Sequence, residues 1–160
     1  MTREQFIGLV AEEQESLRRF LCVLCDGDRV AADDLAQEAL LKAYMSYTGF
    51  EGRSRFSTWL FRIAYNCFCD WKKSRRLPVG KMPDDRISDD TSDKAFAHQK
   101  LYLAINSLSD RERTAVLLFY MEDKSVKDIE AITGMSSAAV RTLLFRARRH
   151  LKDFLGKDSV

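Results

Sequence analysis

Proline and glycine are scarce, two and seven among 160 residues, and both prolines, Pro78 and Pro83, fall in one short stretch. A fold of many short strands needs turn residues at every corner, so this scarcity argues against all-β architectures and for helices. Long apolar runs are missing as well: no stretch approaches the ~18 uninterrupted apolar residues of a membrane-spanning helix. The N-terminus opens on Thr2, Arg3 and Glu4 rather than on a basic segment followed by an apolar one. A cytoplasmic protein without direct membrane insertion is therefore expected. Histidine is limited to His98 and His150, neither beside a cysteine or carboxylate set suited to catalysis, and there is no Gly-rich phosphate loop. No enzymatic activity, no catalytic residue and no cofactor are expected. What is present, 46% hydrophobic and 31% charged residues, suffices for one domain or two small ones.

The four cysteines, Cys22, Cys25, Cys67 and Cys69, form a C-x-x-C and a C-x-C. A structural zinc site needs its thiolates to converge on one point, whereas Cys67 and Cys69, two apart on a helix, point about 200° apart. The preferred reading is reduced thiols, with Cys67 buried as a small apolar residue and no metal. A redox role for Cys22 and Cys25 has no support in the sequence.

Charge is distributed unevenly. Residues 53–76 carry Arg53, Arg55, Arg62, Lys72, Lys73, Arg75 and Arg76 against Asp70 alone, and residues 141–157 carry Arg141, Arg146, Arg148, Arg149, Lys152 and Lys157 against Asp153 alone. The formal net charge of the whole chain is only +2. Two basic, aromatic-bearing segments fit one long polyanion gripped at two places. Between them, residues 77–93 hold both prolines, Gly80 and five aspartates, and read as a flexible acidic linker. Its 17 residues reach roughly 56–61 Å at full extension, beyond the ~34–36 Å of one duplex turn.

The pattern elsewhere is helical throughout. Thr2 with Gln5 makes a capping box for a first helix bearing Phe6, Ile7, Val10, Leu17, Leu21 and Leu24, which ends at Asp26, Gly27 and Asp28. Asp33 or Asp34 is expected to cap a second, with Leu35, Ala39, Ala43 and Tyr47 as its apolar face and Gly49 at its end. A third carries Trp59, Leu60, Ile63, Ala64, Cys67, Phe68 and Trp71 as its core stripe. Beyond the linker, Leu101, Ala104, Ile105 and Leu108 line one helix, and Ser109 with Glu112 makes a capping box for the next. Ser125 with Asp128 then starts a short helix that Gly134 ends. Ser136 caps a longer one with Val140, Leu144, Ala147, Leu151 and Leu155 inside. Helix, Gly-containing turn and helix within about 22 residues is the helix-turn-helix pattern. The expected fold is all-α: two small helical domains, 1–76 and 94–160, joined by the linker at 77–93.

Three surfaces are left over by these stripes. The last helix turns out Ser137, Ala138, Arg141, Thr142, Phe145, Arg148 and Arg149, with no acid between Glu130 and Asp153. Small polar residues and arginines there suit base edges and phosphates. The third helix leaves Thr58, Phe61, Arg62, Tyr65 and Asn66 beside Lys72 and Lys73. Exposed aromatics among cations suit unpaired bases, each stacked ring contributing roughly 1–3 kcal/mol. The competing reading packs Phe61 and Tyr65 beneath the first helix. The loop from Gly49 to Ser57, with Arg53, Ser54 and Arg55, suits an extruded base. On the second helix, Asp34, Gln37, Glu38, Leu41 and Met45 share an acidic and apolar stripe without a cation. It reads either as a solvated face or as a protein-docking surface.

Three segments resemble a known family: Asp34 to Tyr44 (DLAQEALLKAY), Phe50 to Asn66 (FEGRSRFSTWLFRIAYN) and Leu108 to Leu151. Together they are similar to bacterial RNA polymerase sigma factors of the extracytoplasmic function (ECF) group, over nearly the whole chain. The resemblance implies a sigma region 2-like first domain and a region 4-like second. It implies that Asp34, Gln37 and Glu38 dock on the clamp helices of core RNA polymerase, and Leu41 and Met45 complete the polymerase-binding surface read from the stripe itself. It also implies that Arg53 to Asn66 recognise and melt the minus-ten promoter element, that the helix from Ser136 reads the minus-thirty-five element, and that the linker threads the polymerase channel. Promoter DNA, core polymerase and an anti-sigma factor, in this group often membrane-tethered, are the implied partners. Two departures stand out: Leu143 where a basic residue is common, and Tyr65 where a small one is. The rival function is a stand-alone helix-turn-helix transcription regulator, which has no need of the stripe at Asp34 to Met45.

Overall fold

The computed structural model describes residues 1–75 and 93–156, and among these the chain is helical without a strand. The expected linker lies outside the described residues except for Asp93, which belongs to a helix. The chain divides into two compact units, one holding α1 (Arg3–Leu24), α2 (Arg29–Ser46) and α3 (Phe56–Ser74), the other α4 (Asp93–Asn106), α5 (Asp110–Val116) and α7 (Ser137–Gly156). The short α6 (Val126–Thr133) precedes α7.

Local chemistry sets the ends of α1 and the start of α2. Thr2 Oγ1 accepts from the Gln5 N–H at 3.2 Å and Gln5 Oε1 accepts from the Thr2 N–H at 2.9 Å, the reciprocal box expected from sequence. At the other end Asp26 and Gly27 both have positive φ, 56° and 83°. The Gly27 N–H reaches back to the Cys22 carbonyl and the Asp26 N–H to that of Val23, so two orphan carbonyls are satisfied in a Schellman motif. Extended backbone at Asp28 follows, and its carboxylate accepts from the Ala31 N–H at 3.1 Å. Asp28 is thus the cap of α2. The expected Asp33 and Asp34 lie inside the helix and are exposed, because a turn closed this tightly lets the helix begin at once.

The first unit is a three-helix bundle in which each helix touches the other two. Its core is Phe6, Leu17, Phe20, Leu21 and Leu24 from α1, Ala32, Leu35, Ala36, Ala39 and Ala43 from α2, and Phe56, Thr58, Leu60, Phe61, Ala64, Cys67 and Phe68 from α3. Ile7, one position beyond Phe6 and so turned about 100° from it, is exposed, and Val10 is half-buried. Four alanines on α2 bring α3 close. Tyr47 is half-buried in a short 3-10 turn, Tyr47–Gly49, which follows α2; α2 itself ends at Ser46 rather than Gly49.

Helix α3 corrects the expected core. Leu60, Ala64, Cys67 and Phe68 are buried as read, but Trp59, Ile63 and Trp71 are only half-buried, and Phe61 takes the inside place at 0% exposure. Its ring lies 5.2 Å from that of Phe20. Thr58 is 2% exposed and also inside. The arc that α3 buries is centred one flank over, toward α1, because the helix is covered by α1 as well as by α2.

In the second unit Ala104, Ile105 and Leu108 are buried, whereas Leu101, expected beside them, is exposed. Ser109 caps α5 by accepting from the Glu112 N–H at 3.2 Å. The other half of the expected box is replaced: the Glu112 carboxylate meets His150 Nδ1 at 2.8 Å, across to α7. Every residue from Glu112 to Leu118 is buried, and α7 packs on α5 and α4. Arg113, inside this core, donates to the Asn106 and Leu108 carbonyls, closing the end of α4.

Phe61→Ala should leave a cavity and cost about 3–5 kcal/mol in urea unfolding. A cost within a few tenths would place the ring on the surface.

Candidate functional site

The helix-turn-helix is held by bonds between near neighbours. Ser125 and Asp128 exchange side-chain to backbone hydrogen bonds at 3.1 and 3.2 Å, starting α6. Gly134 ends it at φ 78°, a left-handed value that a side chain resists. Ser136 Oγ then accepts from the Ala139 N–H at 3.1 Å and opens α7. Val140, Leu144 and Ala147 are buried, while Leu151 and Leu155, expected with them, are half-buried toward the helix end.

With that stripe inside, Ala138, Arg141, Thr142, Phe145, Arg148 and Arg149 are exposed and Ser137 is half-buried, so the expected outer surface is present as one face. The Thr142 hydroxyl donates to the Ala138 carbonyl at 2.9 Å, which leaves its oxygen able to accept. Phe145, at 58% exposure, carries Arg149 6.0 Å over its ring. Arg148 donates through Nε to the Tyr120 hydroxyl and lies over the Phe119 and Tyr120 rings at 5.9 and 5.6 Å. Sequence reasoning assigned no role to Tyr120. The two residues are 28 positions apart, and no periodicity links them.

The surface expected on α3 is narrower than read. Thr58 and Phe61 are buried in the core, whereas Arg62 and Asn66 are exposed and Tyr65 is half-buried with its ring 6.4 Å from that of Phe68. Lys73 is exposed and Lys72 half-buried. In the loop, Arg53 and Arg55 are exposed and Ser54 is half-buried; Arg53 pairs with Glu51 at 2.9 Å. Trp59, read as core, instead joins Phe50 and Phe56 at ring distances of 5.1 and 5.6 Å beside that loop.

On α2, Asp34, Gln37, Glu38, Leu41 and Met45 are all exposed, the last two at 60% and 76%. The stripe is not free of cations as read: Lys42 meets Glu38 at 3.1 Å, one helical turn on. Such an exposed pair contributes little to stability. Asp34 and Glu38 also border a cleft whose opposite wall is Cys67, Asp70, Trp71 and Ser74 of α3.

The cysteines are free, and among the described residues no three His, Cys, Asp or Glu side chains are placed to hold a metal ion. Burial pushes the Cys22 and Cys67 thiols up, with Arg29 pulling Cys22 and Lys42 pulling Cys67 the other way. Burial, helped by Asp28, pushes Cys25 up to about 12. A folded pKa raised above the unfolded value of 9.0 gives stability that is complete below pH 9 and falls as pH rises toward 12. Cys25→Ala should therefore flatten the alkaline limb of a stability profile relative to the parent chain. Parallel profiles would show that the thiol titrates alike in both states.

Comparison with known proteins finds two families along the chain. Residues 9–77 match the family model for Sigma-70 region 2, and residues 98–151 that for Sigma-70, region 4. The chain is 30% identical over 154 residues to the RNA polymerase sigma-E factor of Streptomyces antibioticus, spanning 94% of this chain and 84% of that one. It is 32% identical over 137 residues to the ECF RNA polymerase sigma factor SigM of Bacillus subtilis, spanning 78% and 80%. Among solved structures it is similar to the sigma factor RpoE in complex with the anti-sigma factor NepR from Bartonella quintana, with a TM-score of 0.80, 26% identity and coverage of 97% and 99%. CnrH in complex with the cytosolic domain of CnrY shares the fold, at a TM-score of 0.74, 22% identity and coverage of 98% and 91%.

Proposed function

Because the chain belongs to the extracytoplasmic function group of bacterial RNA polymerase sigma factors, we propose that it binds core RNA polymerase through α2 and directs it to promoter DNA through α3 and α7. The observation that carries this reading is the outer face of α7 from Ser137 to Arg149, which holds no acid and exposes Arg141, Thr142 and Phe145 on a helix fixed by its buried stripe. Arg141 reads base edges in the upstream element, and Arg148 and Arg149 hold phosphate. Arg62, Tyr65 and Asn66, with Arg53 to Arg55, engage the minus-ten element as it opens. Polymerase performs the chemistry; this chain supplies specificity and acts in the cytoplasm, where polymerase is. Residues 1–76 and 94–160 serve as the two working domains.

The α2 face favours this reading over a stand-alone regulator. Leu41 and Met45 beside Asp34, Gln37 and Glu38 make an apolar patch rimmed by acids, suited to a basic protein surface and not to DNA. The RpoE relative is bound to an anti-sigma factor, and an inhibitory protein partner is proposed for this chain too.

Abortive and run-off transcription with bacterial core polymerase and a promoter library tests the function and supplies the recognised sequence. No stimulation of core polymerase on any promoter would overturn it. Glu38→Lys should weaken binding to core polymerase about tenfold or more while urea unfolding shifts by only tenths of a kcal/mol. Unchanged binding to the clamp helices would remove α2 from the interface. Arg141→Ala should cost ~1–3 kcal/mol at one base position and relax preference there. Equal loss on all upstream sequences would reassign Arg141 to the backbone.

A further inference from the structure

Resting on the reading that α7 enters duplex DNA, we propose that Tyr120 and Arg148 form a clamp for one DNA backbone phosphate, with Tyr120 as a contact residue beside the recognition helix. Three observations support it. First, Arg148 has neutral partners: its Nε donates to the Tyr120 hydroxyl, and its guanidinium lies over the Phe119 and Tyr120 rings. The sequence from 131 to 152 contains no acid. The positive charge is thus held in place without being neutralised, and a cation tethered to a hydroxyl beside two rings loses little side-chain freedom when an anion arrives.

Second, the direction of the hydrogen bond leaves the right donors over. Arg148 gives one N–H to the Tyr120 oxygen, so both terminal nitrogens of the guanidinium and the phenolic O–H are available. A phenol that accepts from a cation is polarised and becomes a stronger donor. A phosphate seated here accepts from the arginine with one oxygen and from the phenol with another, a charge-assisted pair. Third, the backbone presents the ring. Residues 117–121 form a turn wider than an α-helix, with the Glu122 N–H bonded to the Leu117 carbonyl at 3.0 Å. Leu117 and Leu118 are buried while Tyr120 is half-exposed at 51%. The clamp draws on α7 and on the segment after α5, so it fixes how far α7 sinks into the groove as well as adding affinity.

The test uses the full chain with core polymerase on a duplex that the wild-type holoenzyme selects from a random library. Tyr120→Phe keeps the ring and removes the donor, and should weaken binding about 3- to 10-fold on every sequence, without changing base preference. Arg148→Ala should weaken it further and lower the slope of log affinity against log salt by about 0.9, the release of one counterion, whereas Tyr120→Phe leaves the slope alone. The double variant should lose less than the product of the two single losses. A scan with single methylphosphonates, each neutralising one phosphate, should find one position that weakens the wild type and leaves Arg148→Ala unaffected. Wild-type affinity in Tyr120→Phe, or the same methylphosphonate pattern in Arg148→Ala as in the wild type, would overturn the clamp while leaving α7 as the reader. If the wild type selects no upstream duplex, the reading of α7 fails and the clamp falls with it.

Discussion

A helix with one buried stripe has a single orientation about its axis, and for α7 that stripe is Val140, Leu144 and Ala147 against the core built on α5. The constraint is rotational. Turning α7 by one residue, about 100°, would bring Arg141 into an apolar interior and expose Val140, so the outer face cannot be redistributed without breaking the core. Desolvating the guanidinium alone would be costly enough to prevent it. Everything the helix offers to a duplex depends on this packing, including the spacing of Arg141, Thr142 and Phe145 along one side. The Glu112 to His150 contact adds a polar tie at the far end of the same helix.

The first unit rests on a different device, the run of small residues on α2. Ala32, Ala36, Ala39 and Ala43 keep the buried side slim, with Leu35 as its large side chain, while Leu41 and Met45 lie outside. A helix with leucines inside and alanines outside would bury more area by itself but would hold its neighbours farther apart. Here close approach is combined with large aromatic fillers from α1 and α3, chiefly Phe20, Phe61 and Phe68. The apolar patch on the surface is the complement of that choice.

Features written in neighbouring residues were legible in the sequence. Thr2 with Gln5, Ser125 with Asp128, Gly134 and Ser136 were each read in the role they hold, because a cap needs only a side chain and an N–H three positions away. The all-helical class and the outer face of α7 followed from composition and period. Choices that depend on what lies across the bundle were not legible. Helix α3 is apolar at 56, 59, 60, 61, 63, 64, 67, 68, 69 and 71, and both flanks share the same centre, so period alone leaves open whether Phe61 or Ile63 goes inside. Asp28, Asp33 and Asp34 are equally good caps on paper; the left-handed pair at Asp26 and Gly27 decides among them. The partnership of Tyr120 with Arg148 and of Glu112 with His150 belongs to tertiary structure, and no local pattern announces either.

Three cysteines, Cys25 and Cys67 buried and Cys22 half-buried, share one electrostatic consequence of the packing. Reaction with a peroxide requires the thiolate, and burial, helped by Asp28, holds the Cys25 thiol in its protonated form at neutral pH. Cys22 and Cys67 are shifted in the same direction, away from reactivity. All three are therefore held toward the protonated thiol, the less nucleophilic form, by the same packing that fills the first unit.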